Sequence, residues 1–254
     1  MKELKNHVSL IVGGNGDIGG AIAKGLCSLG ADVIPLGRNK SRNKSTIASL
    51  KKLGNSWSEN ISIDVNQPST IKQVLRSIIK KYKKIDSCVC AAGIYMNKSA
   101  ETLTLSEWNN IINTNLTGSF NVCRIVGEKM LLQGSGSIVN ISSLSAVQAL
   151  TGTIAYSVSK AGVISLTQGL SAEWASRGVR VNAIIPGVFP TKLNKKALQL
   201  PGRKENILKG IPIRRLGDVK ELIGATRFLV SKDSTYVTGI ALPVDGGFLS
   251  FSGY

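Results

Sequence analysis

Residues 8–19 read Val8-Ser9-Leu10-Ile11-Val12-Gly13-Gly14-Asn15-Gly16-Asp17-Ile18-Gly19, and residues 21–31 continue as AIAKGLCSLGA. A short apolar run, a glycine-rich turn and then apolar residues at helical spacing make a strand, a tight loop and a helix N-terminus, in that order. At such a junction the backbone N–H groups converge on an anion, and the glycines let the backbone approach the pyrophosphate of a dinucleotide. Gly13, Asn15, Gly16, Asp17, Ile18 and Gly19 are therefore candidate cofactor contacts. A glycine turn alone is weak evidence, and its weight comes from the alternating pattern that follows it.

Apolar runs at 8–12, 33–36, 61–63, 87–91, 137–141, 179–184 and 240–244 alternate with longer segments of helical period. Most of these runs are apolar nearly throughout, as expected of strands covered by helices on both faces. The pattern predicts an α/β fold, a doubly wound Rossmann-like parallel sheet of seven strands with helices on both faces. No internal repeat or linker divides the 254 residues, which predicts a single domain over 1–254. The least regular stretch, residues 190–210 with Pro201-Gly202 inside it, reads as a substrate flap.

The chain has 32 Lys and Arg against 15 Asp and Glu, a formal charge of +17, yet it is 43% hydrophobic and folds rather than staying disordered. Aromatics make up only 5% and Tyr82 alone lies within a basic cluster, which argues against a nucleic-acid partner. No apolar run reaches the length of a membrane span or a secretory signal, so a cytoplasmic protein without membrane contact is expected. Four cysteines without a Cys-x-x-Cys pair, and His7 as the one histidine, make a metal site improbable. Residues 190–210 hold Lys192, Lys195, Lys196, Arg203, Lys204 and Lys209 against the single acid Glu205. That excess suits a small anionic substrate.

The second strand ends Leu36-Gly37-Arg38-Asn39, where an acid would hold the ribose 2′-hydroxyl of NAD(H). Arg38 instead can grip a 2′-phosphate through charge-assisted hydrogen bonds, which makes NADP(H) the preferred cofactor and NAD(H) the alternative. Farther along, Tyr156 and Lys160 stand four apart at the start of a helical segment and so share a face. An ammonium beside a phenol would lower its pKa from about 10. Ser143 lies just past the fifth run, where open α/β sheets bind their ligands.

Together these residues resemble the short-chain dehydrogenase/reductase family, in its shorter single-domain form, over essentially the whole chain. The likeness extends to Asp64 in Ile63-Asp64-Val65, to Asn115 in Thr114-Asn115-Leu116-Thr117-Gly118, to Pro186-Gly187-Val188-Phe189-Pro190-Thr191 and to Val244-Asp245-Gly246-Gly247. The resemblance implies an oxidoreductase moving hydride between a nicotinamide and a carbonyl or secondary alcohol. It implies Tyr156 as the general acid/base and Ser143 as the holder of the substrate oxygen. Lys160 would bind the nicotinamide ribose while lowering the Tyr156 pKa, and Asn115 would position a water in the proton relay. It implies further cofactor contacts from Asn39, Asp64, Val65, Ala91, Ala92, Gly93, Pro186, Gly187, Val188 and Thr191, and a homotetramer. The ending at 244–254 is similar to sugar and sugar-acid oxidoreductases, which makes a sugar-acid or polyol-like substrate the expectation. The body is equally similar to 3-oxoacyl-carrier-protein reductases, which are the alternative. A catalytically silent relative would be expected to lack Tyr156, Lys160 or Ser143, and all are present.

Three positions depart from the family pattern. Val12 replaces a threonine, and Cys90 in Cys90-Ala91-Ala92-Gly93 replaces an asparagine whose amide braces the sheet near the cofactor. Asp17 replaces the middle glycine, while Gly16 shifts the spacing towards that of longer, epimerase-like relatives. A carboxylate facing pyrophosphate would repel it, so Asp17 is expected to point away.

Overall fold

The computed structural model describes residues 3–251, without the side chains of residues 196 and 197. Its sheet is built from β1 (Val8–Val12), β2 (Asp32–Leu36), β3 (Ser87–Cys90), β4 (Gly136–Ile141), β5 (Val179–Pro186) and β6 (Ala241–Val244). They lie in the order β2-β1-β3-β4-β5-β6, and every pairing is parallel. Val12 is level with Leu36 on one side and with Cys90 on the other. The chain therefore reverses its direction of travel across the sheet at the end of β1, and a crevice opens there.

Nine helices connect the strands among the described residues: α1 (Asp17–Ser28), α2 (Lys40–Lys51), α3 (Pro68–Tyr82), α4 (Leu105–Ile112), α5 (Gly118–Gln133), α6 (Ile154–Trp174), α7 (Lys195–Leu198), α8 (Arg203–Lys209) and α9 (Leu222–Val230). On one face Ile71, Val74 and Ile78 of α3, Val126 and Met130 of α5 and Trp174 of α6 pack on Leu10, Val12, Ile138 and Val181. On the other, Ile22 and Leu26 of α1 with Leu222 and Leu229 of α9 cover Ile11, Val33, Val139 and Ile184. Val8, Leu10 and Val12 of β1 thus enter one core and Ile11 the other, while the buried Ser9 hydroxyl bonds Ser87 Oγ on β3 at 2.7 Å. Each apolar side chain buried in this way contributes about 1.5–3 kcal/mol by leaving water. No described helix is long and apolar enough to cross a membrane.

The sheet has six strands, not the expected seven. Residues 61–63 make only an isolated parallel bridge, Ser62 to Gly37. At this edge Asn43, fully buried on α2, donates to Gly37 O at 2.9 Å and to Ile61 O at 3.0 Å, while the Ile63 N–H reaches Gly37 O at 3.3 Å. A side chain thus shares with one backbone bond the task of holding this segment beside β2. Asn43 also accepts from Asn15 at 2.6 Å, which ties the glycine turn to the same point.

Two of the departures meet in space. Val12 and Cys90 are register partners on β1 and β3, and both are buried in one core. A polar pair in the family pattern has become an apolar one, so packing takes the place of the missing brace. Residues 190–210 are also more regular than expected, because α7 and α8 flank Gly202, whose φ of +69° makes the bend that glycine adopts without strain.

Candidate active site

The end of β1 opens into a cavity of about 340 Å³ lined by Gly13, Asn15, Gly16, Asp17, Ile18, Gly19, Arg38, Asn39, Val65, Ala91, Ala92, Gly93 and Thr191. Gly13 has φ of +84°, and a Cβ there would stand 2.6 Å from the carbonyl carbon of Ala91. Only a glycine lets the two loops approach so closely. No side chain caps the N-terminus of α1 at Gly16, which leaves that end suited to an anion.

Asp64 is not in the lining. Its carboxylate accepts from the Asn66 N–H at 2.9 Å and shapes the turn, while Ile63 and Val65 on either side line the cavity. Asp17 is in the lining, with its carboxylate accepting the Lys192 N–H at 2.6 Å. Arg42, Thr114, Lys192 and Leu193 join the wall as well and were not singled out as site residues from the sequence. For Arg42 a signal existed: it lies four residues after Arg38, in the first turn of α2, whose Asn39 cap accepts its N–H at 2.9 Å.

A second cavity of about 240 Å³ holds Ser143, Tyr156 and Lys160 together with Pro186, Gly187 and Val188. Ile18, Ala91, Gly93, Thr191 and Leu193 line both cavities, so the two adjoin across a shared wall. Ser143 caps the short 3₁₀ turn after β4, and its Oγ accepts from Ser145 Oγ at 3.0 Å and Ser145 N–H at 3.3 Å. Those donors occupy the acceptor side of the hydroxyl, and Ser143 lies close enough to Tyr156 to favour its charged form. Tyr95 packs edge-on against the Tyr156 ring, with centroids 5.2 Å apart.

Lys160 is buried, and its ammonium donates to Ile141 O, the last residue of β4, at 2.8 Å. Ser142 Oγ donates back to Lys160 O at 2.9 Å, so α6 and β4 are joined twice. Asn115 sits in a π-helical turn, Asn113–Thr117, between α4 and α5. Its Oδ1 accepts from Ile94 N–H at 2.8 Å, and its Nδ2 donates to Ile94 O at 2.9 Å and Ser159 Oγ at 3.0 Å. Both amide hydrogens are engaged, so the side chain braces the loop after β3.

Burial pushes the Tyr156 phenol above its usual range, while the neighbouring Ser143 hydroxyl pulls it down in part. This is opposite to the expected lowering by Lys160. Helical spacing puts the two on one face, but the ammonium lies 5.8 Å from the ring centroid and is bonded to Ile141. Desolvation brings Lys160 itself down to about 8.

The family model described as Enoyl-(Acyl carrier protein) reductase matches residues 14–249. The chain is 36% identical to the 2-dehydro-3-deoxy-D-gluconate 5-dehydrogenase of Bacillus subtilis over 97% of its own length and 96% of that protein's. It is 35% identical to the 3-oxoacyl-acyl-carrier-protein reductase of Chlamydia muridarum, covering 96% and 98%. A solved gluconate 5-dehydrogenase from Burkholderia cenocepacia, in complex with NADP and tartrate, superposes with a TM-score of 0.94 at 30% identity, covering 98% of each chain. This chain belongs to the short-chain dehydrogenase/reductase family, and it is an oxidoreductase of that family.

The depressed Lys160 pKa makes a stability prediction. The unfolded chain keeps this proton up to about 10.5 and the native state only to about 8, so below pH 8 the buried charge weighs fully against folding. Wild-type stability should gain from this group as pH rises from 8 to 10.5. Lys160→Met should be more stable than wild type at pH 7 by about 2–3 kcal/mol, the lost hydrogen bond to Ile141 offsetting part of the gain. Urea unfolding across this pH range checks it, and a Met-minus-wild-type difference that stays constant with pH would contradict it.

Proposed function

We propose that the protein interconverts a carbonyl and a secondary alcohol on a small anionic substrate of the sugar-acid or polyol type, using NADP(H). The observation that carries the reading is that the two cavities adjoin, with Ser143 and Tyr156 beside residues that also line the nucleotide side. The cofactor suits the residues present: Gly13 lets the glycine turn close on the Ala91-Ala92 backbone beside the cavity, the α1 N-terminus is uncapped, and Arg38 and Arg42 stand at the end that would take a 2′-phosphate. When bound, the nicotinamide supplies or accepts the hydride.

The protein's own groups handle the oxygen. The Ser143 hydroxyl, oriented by Ser145, donates to the substrate oxygen and stabilises charge as it develops there. Tyr156, a protonated phenol at neutral pH, delivers its proton to that oxygen in the reduction direction and is left as phenolate, and in the reverse direction that phenolate takes the proton back. The buried Lys160 ammonium offsets the negative charge left on Tyr156, with little solvent to screen it.

The anionic character of the substrate rests on Arg203. Lys160 and Arg203 are the cations in the substrate-cavity lining and no acid accompanies them. Lys192 lines the nucleotide cavity instead, Lys195 lines neither, and the side chain of Lys196 lies outside the described residues. A carboxylate in this cavity would find its charge-assisted partner in Arg203. The names of the gluconate-type relatives support that choice. A 3-oxoacyl thioester is the second reading, favoured by the apolar wall of Leu144, Leu150, Leu198, Ile207 and Phe248. A homotetramer completes the proposal, supported by Phe120 and Leu132 exposed on α5 and Val158 on α6.

Tyr156→Phe should retain NADPH binding and lose turnover by about 10²–10⁴; full turnover in that variant would remove the assignment. Arg38→Ala and Arg42→Ala should each weaken NADPH by roughly 10-fold or more while leaving NADH nearly unchanged, as charge-assisted contacts do. Fluorescence titration with both cofactors checks this, and a wild type that prefers NADH contradicts it. Arg203→Gln should lower kcat/KM for gluconate by about 10-fold or more at high salt and spare glucitol, the neutral polyol of the same length. Equal losses on both would place the anion contact elsewhere.

A further inference from the structure

In a chain of charge +17, Asp17 is the only acid among the described residues that line the nucleotide cavity. A carboxylate beside a pyrophosphate site works against cofactor binding through like-charge repulsion. What it does there is visible in its hydrogen bond. Its Oδ2 accepts the N–H of Lys192, 175 positions away in sequence, at 2.6 Å.

The segment it holds is otherwise closed on itself. Asn194 Oδ1 accepts from the Thr191 N–H at 2.9 Å and from its hydroxyl at 3.1 Å, and Asn194 Nδ2 donates to Phe189 O at 2.9 Å. These bonds tighten the turn without attaching it to the glycine loop. The bond from Lys192 to Asp17 makes that attachment. Leu193, the next residue, lines both cavities, and Asn194 and Arg203 beyond it line the substrate side. One hydrogen bond therefore secures the start of the wall that cofactor and substrate share.

We propose that Asp17 is a positioning residue that acts as a latch: its carboxylate fastens the start of residues 190–210 to the glycine turn, at a cost in cofactor affinity. A neutral isostere separates the two effects. Asp17→Asn keeps the shape, removes the like charge and exchanges a charge-assisted acceptor for a weaker one. Cofactor binding tightens while the wall loosens. The second effect concerns the protein alone; the first rests on the reading of a phosphate-bearing cofactor in this cavity.

The test begins without ligand, by amide hydrogen exchange at Lys192 and by trypsin cleavage at Arg203 and Lys204, in wild type, Asp17→Asn and Asp17→Ala. Protection of the Lys192 amide should fall about 10-fold or more in both variants, with faster cleavage at Arg203 and Lys204, as expected for losing a hydrogen bond to a charged group. NADPH titration of Asp17→Asn should then give a dissociation constant about 5-fold lower than wild type at low salt, while KM for the carbonyl substrate rises. Unchanged Lys192 protection in the variants overturns the latch. In the wild type itself, an unprotected Lys192 amide overturns it without any variant. Lost protection with weaker NADPH binding overturns the affinity cost, and leaves the latch standing.

Discussion

The site depends on how α6 is joined to the end of β4. Lys160 places a buried ammonium on the carbonyl of Ile141, and its own carbonyl receives the Ser142 hydroxyl, so strand and helix are bonded in both directions at one point. Ser143 follows Ser142 directly, and Tyr156 lies one helical turn before Lys160. Fixing that point sets the serine and the tyrosine in one cavity wall. The same bonds require a desolvated charge, which is why Lys160 falls to about 8. A buried ammonium opposes folding, and its retention here fits a site that trades stability for chemistry.

The loop after β3 is held by a comparable arrangement. Asn115, turned inward by the π-helical turn, bonds both backbone groups of Ile94, and its Oδ1 would stand 3.2 Å from a Cβ at Gly93. Lys160 Nζ would stand 3.5 Å from the same atom. The glycine therefore lets the loop close over both side chains, where the two cavities meet. On the opposite side of the nucleotide cavity, Asn43 binds the glycine turn, the end of β2 and the segment at 61–63 through one amide. Buried polar side chains, each fully engaged, define the rims while apolar packing supplies the two cores beneath.

Much of this was legible from residue order alone. The strand, glycine turn and helix of residues 8–28 carry their geometry locally, and burial on both faces makes a strand such as β1 apolar but for Ser9. Tyr156, Lys160 and Ser143 were legible because helical spacing and a strand end restrict where they can lie. What escaped depended on contacts far apart in sequence. Residues 61–63 are held beside β2 largely through the Asn43 side chain, and nothing near Ile61 signals it. The pKa direction of Tyr156 was misread because spacing reports a shared face, whereas desolvation depends on everything packed around the ring. For Asp17 the residues around it carry no sign of its partner, the N–H of a residue 175 positions on. The basic flap likewise narrowed from a composition to the guanidinium of Arg203 on α8.

If the two adjoining cavities form one hydride-transfer site, hydride passes from nicotinamide to substrate without exchange with water. Deuterium transfer follows that hydride: NADPH labelled at C4 on the transferring face is mixed with 5-dehydro-D-gluconate under single-turnover conditions, and the product is examined by mass spectrometry and NMR. One deuterium is expected on the carbon that bears the new hydroxyl, and none in that product when the label is on the other face of C4. A reduced product without the label from either face of the nicotinamide would contradict it, as would NADPH bound tightly beside a sugar acid and a 3-oxoacyl thioester with neither reduced.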